Sequence, residues 1–135
     1  MNDSDAALIN RLNAAITGLQ WISESDYPLA VVYWSQPFAS MTTEQLLQLT
    51  NHPLDAIVTQ KDLDTFFAVA TQPQRWHSAT ELADVQRYQQ VVSTLKQNLT
   101  DLGVYCIGSV TIDIYIIGKS QTGAWLGLTT KAVET

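Results

Sequence analysis

From Ser109 to Gly118 the chain alternates: Val110, Ile112, Ile114 and Ile116 fall on one face, Thr111, Asp113, Tyr115 and Ile117 on the other. A period of two marks a strand. Slipping it by one residue would turn Asp113 inward and expose the isoleucines, so the pattern sets the register. Two further β-rich runs, Gly103 to Gly108 and Gly123 to Thr130, flank it across short turns of Gly, Ser, Lys, Gln and Thr. The expectation is an antiparallel three-stranded meander in the last third of the chain.

Elsewhere the period lengthens to three and four. Leu8, Leu12, Ile16 and Leu19 line one helical face behind Asp3, Ser4 and Asp5, which offer N-caps and negative charge. The longest helical pattern starts at a capping box, Ser78 with Glu81, and runs through Leu82, Val85, Tyr88, Val92, Leu95 and Leu99. It is too short for a coiled coil, so it should pack on a sheet. Between these helices, Leu29 to Trp34 is an almost continuous apolar run after Tyr27-Pro28, which reads as a central strand covered on both faces.

Thr42 and Gln45 form another capping box, for a short helix carrying Leu46, Leu47 and Leu49 that Asn51-His52-Pro53 stops. Residues 56–59 are too short a run to assign. Thr59 followed by Asp62 suggests the start of a helix burying Leu63, Phe66 and Phe67, and a polar loop from Thr71 to His77 then holds Trp76. No repeat or linker divides the chain. One α+β domain over residues 1–135 is expected, with helices on both faces of a mostly antiparallel sheet.

Composition narrows the function. Of 135 residues 46% are hydrophobic and 15% charged, which suits a packed globule, and the net charge is −6 with 7 Lys and Arg. So few cations give no basic stripe for phosphates, which argues against direct nucleic-acid binding. An acidic surface suits a basic partner, although solubility alone also accounts for it. The single Cys106 cannot form an intramolecular disulfide and reads as a small buried hydrophobe. Met1 to Asp5 is acidic where a signal peptide is basic, and no apolar run is long enough to span a membrane. A cytoplasmic location is therefore expected. The sequon Asn98-Leu-Thr100 carries no weight there.

Catalytic and metal motifs are thin. Gly118-Lys-Ser120 lacks the glycine a P-loop needs, Asp113 standing in that place, and precedes a strand rather than a helix. His52, His77 and Cys106 do not make a zinc site, and each histidine reads as an exposed loop residue. No Gly-x-Ser-x-Gly elbow occurs. Glu24 with Asp26, or Asp62 with Asp64, suits acid and base in a hydrolase, but such pairs are common on loops and helix starts. Neither catalysis nor a cofactor is expected.

Three features ask instead for a partner. Trp76 stands in a polar loop among Gln74, Arg75 and His77; it either anchors an interface or folds back over the long helix. Glu24, in Ser23-Glu-Ser-Asp26, lies between a helix end and a strand start. The carboxylate and hydroxyl of Thr135, just past the last strand, are hard oxygens of the kind Mg²⁺ accepts.

The segment Ile22-Ser-Glu-Ser-Asp-Tyr-Pro28, the Phe66-Phe67 helix with Thr71-Gln-Pro-Gln-x-Trp76, the strand Asp113 to Gly118 and the ending Thr130 to Thr135 together resemble the nuclease A inhibitor family, cyanobacterial proteins that block a sugar-nonspecific DNA/RNA nuclease. The resemblance runs over essentially the whole chain. It implies a three-layer α/β/α sandwich like that of plant PR-1 proteins. It also implies that Glu24 takes the place of a substrate phosphate, that Trp76 packs at the interface with Gln74 and Arg75 beside it, and that Thr135 reaches the nuclease's Mg²⁺. One departure is Arg75, where an inhibitor of this family carries an acid before the tryptophan. The reversed charge leaves open the same nuclease or a differently charged relative as target.

Overall fold

Alternation along the C-terminal third becomes three long antiparallel strands in the computed structural model, which describes residues 3–35 and 38–134. They are β5 (Thr100–Ile107), β6 (Thr111–Lys119) and β7 (Trp125–Val133). Two shorter strands, β3 (Ala30–Trp34) and β4 (Val58–Lys61), complete a five-stranded antiparallel sheet of order β3-β7-β6-β5-β4. The register expected for β6 holds, with Ile112, Ile114 and Ile116 buried on one face and Asp113, Tyr115 and Ile117 on the other.

Four helices among the described residues cover the two faces. On one face, α1 (Asp3–Ile16), α3 (Leu63–Thr71) and α4 (Ala79–Asn98) send Leu12, Phe67, Val91 and Leu95 against Val104, Ile114, Ile116 and Leu128. On the other, α2 (Thr43–Leu49) packs Leu46 and Leu47 against Tyr105, Ile107, Ile117 and Trp125. Both expected capping boxes form: Thr42 with Gln45 and Ser78 with Glu81 each exchange side-chain and backbone hydrogen bonds of 3.0–3.1 Å.

Several expectations need correction. The run Leu29 to Trp34 is an edge strand, pairing with β7 alone among the described residues. Its alternation is lost because Val31 and Tyr33 meet one core cluster while Val32 and Trp34 meet the other. Covered faces say nothing about which strands flank it. Residues 58–61 form the opposite edge, kept polar by exposed Thr59, Gln60 and Lys61. Asp62, not Thr59, caps α3, accepting from the Thr65 amide at 3.1 Å. In α4 it is Val91 rather than Val92 that is fully buried, and Leu82 is exposed.

Asp5 lies inside the first turn of α1 rather than ahead of it, and it is buried. It accepts a 2.7 Å bond from the Thr122 hydroxyl, which itself lies 2.9 Å from Ser120 Oγ, tying α1 to the β6–β7 turn. Cys106 is buried, as expected, and burial pushes its thiol up from the ordinary value.

Before the main sheet comes a small hairpin that the sequence pattern did not reveal: β1 (Gln20–Ile22) and β2 (Asp26–Pro28), paired antiparallel. Trp21 fixes its base, stacked on Phe66 at 4.3 Å and edge-on to Phe67 and Tyr88. Tyr88 also donates its hydroxyl to the Gln20 carbonyl at 2.7 Å, and burial, aided by Asp84, raises that hydroxyl's pKa. Stability from a group raised in this way is full below the ordinary tyrosine value of 10.0 and is lost as pH climbs from there toward the folded value. Tyr88→Phe, which strands the Gln20 carbonyl, should cost about 1 kcal/mol at neutral pH. It should also lose less stability than the parent between pH of about 7 and about 10.5, while buried Tyr105 and half-buried Tyr115 keep some of the slope in both. Urea melts at the two pH values test this; identical slopes would remove Tyr88 as a source.

Candidate functional site

Three residues join β1 to β2, so the loop Ser23-Glu24-Ser25 is held at both ends by strand pairing. It is also held from within and from below. Ser23 donates its hydroxyl to the Ser25 carbonyl at 2.8 Å, and the same oxygen accepts from the Val133 amide at 3.0 Å. The Glu24 amide donates to the Val133 carbonyl at 3.3 Å. The loop therefore rides on the last residue of β7, and the exposed Glu24 side chain stands on a doubly anchored backbone.

The end of β7 is anchored in turn. The Glu134 amide donates to the Val110 carbonyl at 2.9 Å, which sets the end of the described chain against the turn between β5 and β6. Glu134 itself is exposed. Thr135 lies outside the described residues.

Trp76 belongs to a different element. Between the C-cap of α3 at Gln72 and the N-cap of α4 at Ser78, Gln74 to His77 form a four-residue turn. The His77 amide donates to the Gln74 carbonyl at 3.1 Å, and the Gln74 amide donates to His77 Nδ1 at 3.0 Å. Arg75 and Trp76 thus occupy the two central positions of a turn closed from both sides. Trp76 is 76% exposed, its only described ring contact an edge-on approach to His77 at 6.0 Å. The indole does not fold back into the core. Gln74 and Arg75 are exposed beside it.

Two hollows connect these places. One, of about 240 Å³, lies between β1, α3 and the start of α4, with Ile22, Val69, His77, Glu81 and Asp84 around it. The other, of about 360 Å³, shares Trp21 and Val69 with the first and reaches Lys61 and Glu134. A continuous surface therefore leads from Glu134, beside the Glu24 loop, past Val69 to the base of the Trp76 turn. Ile22 and Val69, 74% and 77% exposed, stand on it as bare aliphatic groups. Sequence reasoning missed both. Ile22 alternates with the buried Trp21, and Val69 points away from the Phe66-Phe67 face, so periodicity alone marked them only as the outer side of their elements.

Acidity prevails along this surface. The Glu81 carboxyl sits below the usual carboxylate range because it accepts the Ser78 amide and hydroxyl, with His77 adding a smaller favourable effect. It therefore stays ionised into mildly acidic solution.

The histidines are not simple exposed loop residues. His77 is half-buried and closes the Trp76 turn. His52 lies on the far face of the sheet, with Nδ1 2.6 Å from Thr50 Oγ1 and Nε2 2.7 Å from Asp113 Oδ2, while Lys131 lies 3.8 Å from the other Asp113 oxygen. This network clamps the end of α2 to β6. Thr50 gives its hydroxyl proton to the Leu46 carbonyl at 2.7 Å, so it is not presented as a nucleophile. Of the carboxylate pairs, Asp62 is consumed as a helix cap and Asp64 pairs with Lys96 at 2.6 Å. No group of three or more His, Cys, Asp or Glu among the described residues could hold a metal, and no described helix is long and apolar enough to cross a membrane.

The molecule is thus a mixed α+β domain that presents an acidic hairpin loop tied to its last sheet strand and an indole on a rigid turn. The chain matches the family described as nuclease A inhibitor-like protein over residues 6–135, and it belongs to that family. No individually curated protein matches it.

Proposed function

We propose that this protein inhibits a nonspecific, metal-dependent DNA/RNA endonuclease by occupying its active site in place of nucleic acid. The observation that carries the reading is the pair of backbone and side-chain bonds joining the Glu24 loop to Val133. Through them the Glu24 carboxylate and the end of β7 enter a cleft as one unit. Glu24 stands in for a substrate phosphate, Thr135 extends toward the nuclease's catalytic Mg²⁺, and Trp76, with Gln74 and Arg75, seals the contact from the α3–α4 turn. The layers around the sheet form the three-layer sandwich of PR-1 proteins.

A nuclease cleft built for phosphates is basic, and a protein of net charge −6 is drawn to it. Association should slow as salt rises. The protein acts by binding, without catalysis of its own and without a cofactor, in the cytoplasm.

The test is titration of magnesium-dependent nonspecific nucleases cleaving plasmid DNA and RNA. Inhibition that is relieved by added nucleic acid is expected. A bulky extension after Thr135 should abolish or strongly weaken it. Unchanged potency of the extended protein would remove the metal contact, and a broad panel left uninhibited would remove the function.

A further inference from the structure

Resting on that reading, we infer that the nuclease-binding surface continues past the end of β7 onto a second apolar flank, made by Ile57 and Val110 with Leu54 beside them. Three backbone bonds build this flank. Glu24 donates to the Val133 carbonyl, Glu134 to the Val110 carbonyl at 2.9 Å, and Gly108 to the Ile57 carbonyl at 2.9 Å. The Glu24 loop, the end of β7, the β5–β6 turn and the entry to β4 therefore form one hydrogen-bonded rim at a single end of the sheet.

On this rim Ile57 is 62% exposed, Val110 51% and Leu54 60%. Single exposed aliphatics are ordinary, but three of them on adjoining turns beside two carboxylates are a patch. Gly108 has φ +114, and a β-carbon there would lie 2.5 Å from the Thr111 carbonyl oxygen, so the turn that carries Val110 takes a shape that glycine allows and a larger residue would not. Leu54 is fixed in a turn, since the Ala56 amide donates to the Pro53 carbonyl at 3.0 Å.

The occupant is the same basic protein cleft. Glu24, Glu134 and Asp55 are exposed along the rim, so charge attracts a cationic wall there, while the aliphatic groups exclude water from those pairs. Ile22, Val69 and Trp76 form one flank of the acid plug, and Ile57 and Val110 form the other. A plug with apolar contacts on both sides resists tilting as well as withdrawal.

Ile57→Ser with Val110→Ser removes apolar surface and leaves the charge unchanged. Against a nuclease that the parent protein inhibits, the double variant should be weaker by about tenfold, with an unchanged melting midpoint and an unchanged dependence on salt. Glu24→Ala, assayed beside it, should lower both potency and salt dependence. If Glu24→Ala weakens inhibition and the double variant does not, the second flank is refuted and the inhibitor reading stands. If a panel of magnesium-dependent nonspecific nucleases shows no inhibition by the parent, both are refuted.

Discussion

Trp76→Ala and Glu24→Ala are each expected to weaken nuclease inhibition by about 2 kcal/mol or more, roughly thirtyfold, while both variants melt like the parent. The two halves of this expectation rest on different observations. Stability is spared because the Trp76 indole lies outside both core clusters, and because the bonds from the loop backbone and from Ser23 to Val133 and Ser25 stay in place when Glu24 becomes alanine. Inhibition suffers because a rigid, exposed indole loses little entropy on binding and buries a large area. Trp76→Phe should recover part of the loss, since a smaller ring keeps some of that area. Thermal melts run beside nuclease titrations separate the outcomes. A fall in melting temperature with either alanine would make that residue part of the core, and full potency in both would take the proposed contact surface away.

How far these features could be read from the chain depends on the range of the interaction behind them. Capping boxes involve residues three apart, so Ser78 with Glu81 and Thr42 with Gln45 are visible in the sequence and form as expected. Alternation is equally local, and it located β6 and its register. Strand order is not local. Nothing within Leu29 to Trp34 says that, among the described residues, β7 alone will pair with it, and β1 and β2 are too short for any period to show.

The α4 stripe held at Val85, Tyr88, Leu95 and Leu99, with Val92 partly buried against the core and Leu82 exposed. Val91 takes the centre because it stands three residues after Tyr88 and four before Leu95, on the same face as both, which leaves Val92 at the margin of the stripe. Polar residues recruited across long sequence separations were also hidden. Asp5 meets Thr122 and His52 meets Asp113 only once the sheet exists. Glu24 and Trp76 could be named from the segments shared with the inhibitor family. The mooring of Glu24 to Val133 and the bare Ile22 and Val69 are tertiary facts.

Gly127→Ala should be the most damaging small substitution in the protein. Gly127 sits in the middle of β7, facing Ile117 on β6 and Val32 on β3, so the strand is pinned on both edges. A β-carbon there would overlap the Ile116 carbonyl oxygen, a backbone atom that cannot rotate aside as a side chain would. Relief requires β7 to move away from β6 and to break ladder hydrogen bonds. The expected cost, about 4 kcal/mol or more, is a large share of the stability of a domain this size. Inhibition should fall with it, because β7 also carries the carbonyl and amide of Val133 that hold the Glu24 loop. Far-UV circular dichroism with thermal melts distinguishes the two routes to lost function: Glu24→Ala should remain folded and inhibit more weakly, whereas Gly127→Ala should lose inhibition through unfolding. A Gly127→Ala protein that melts with the parent would mean that β7 and β6 are not paired in this register.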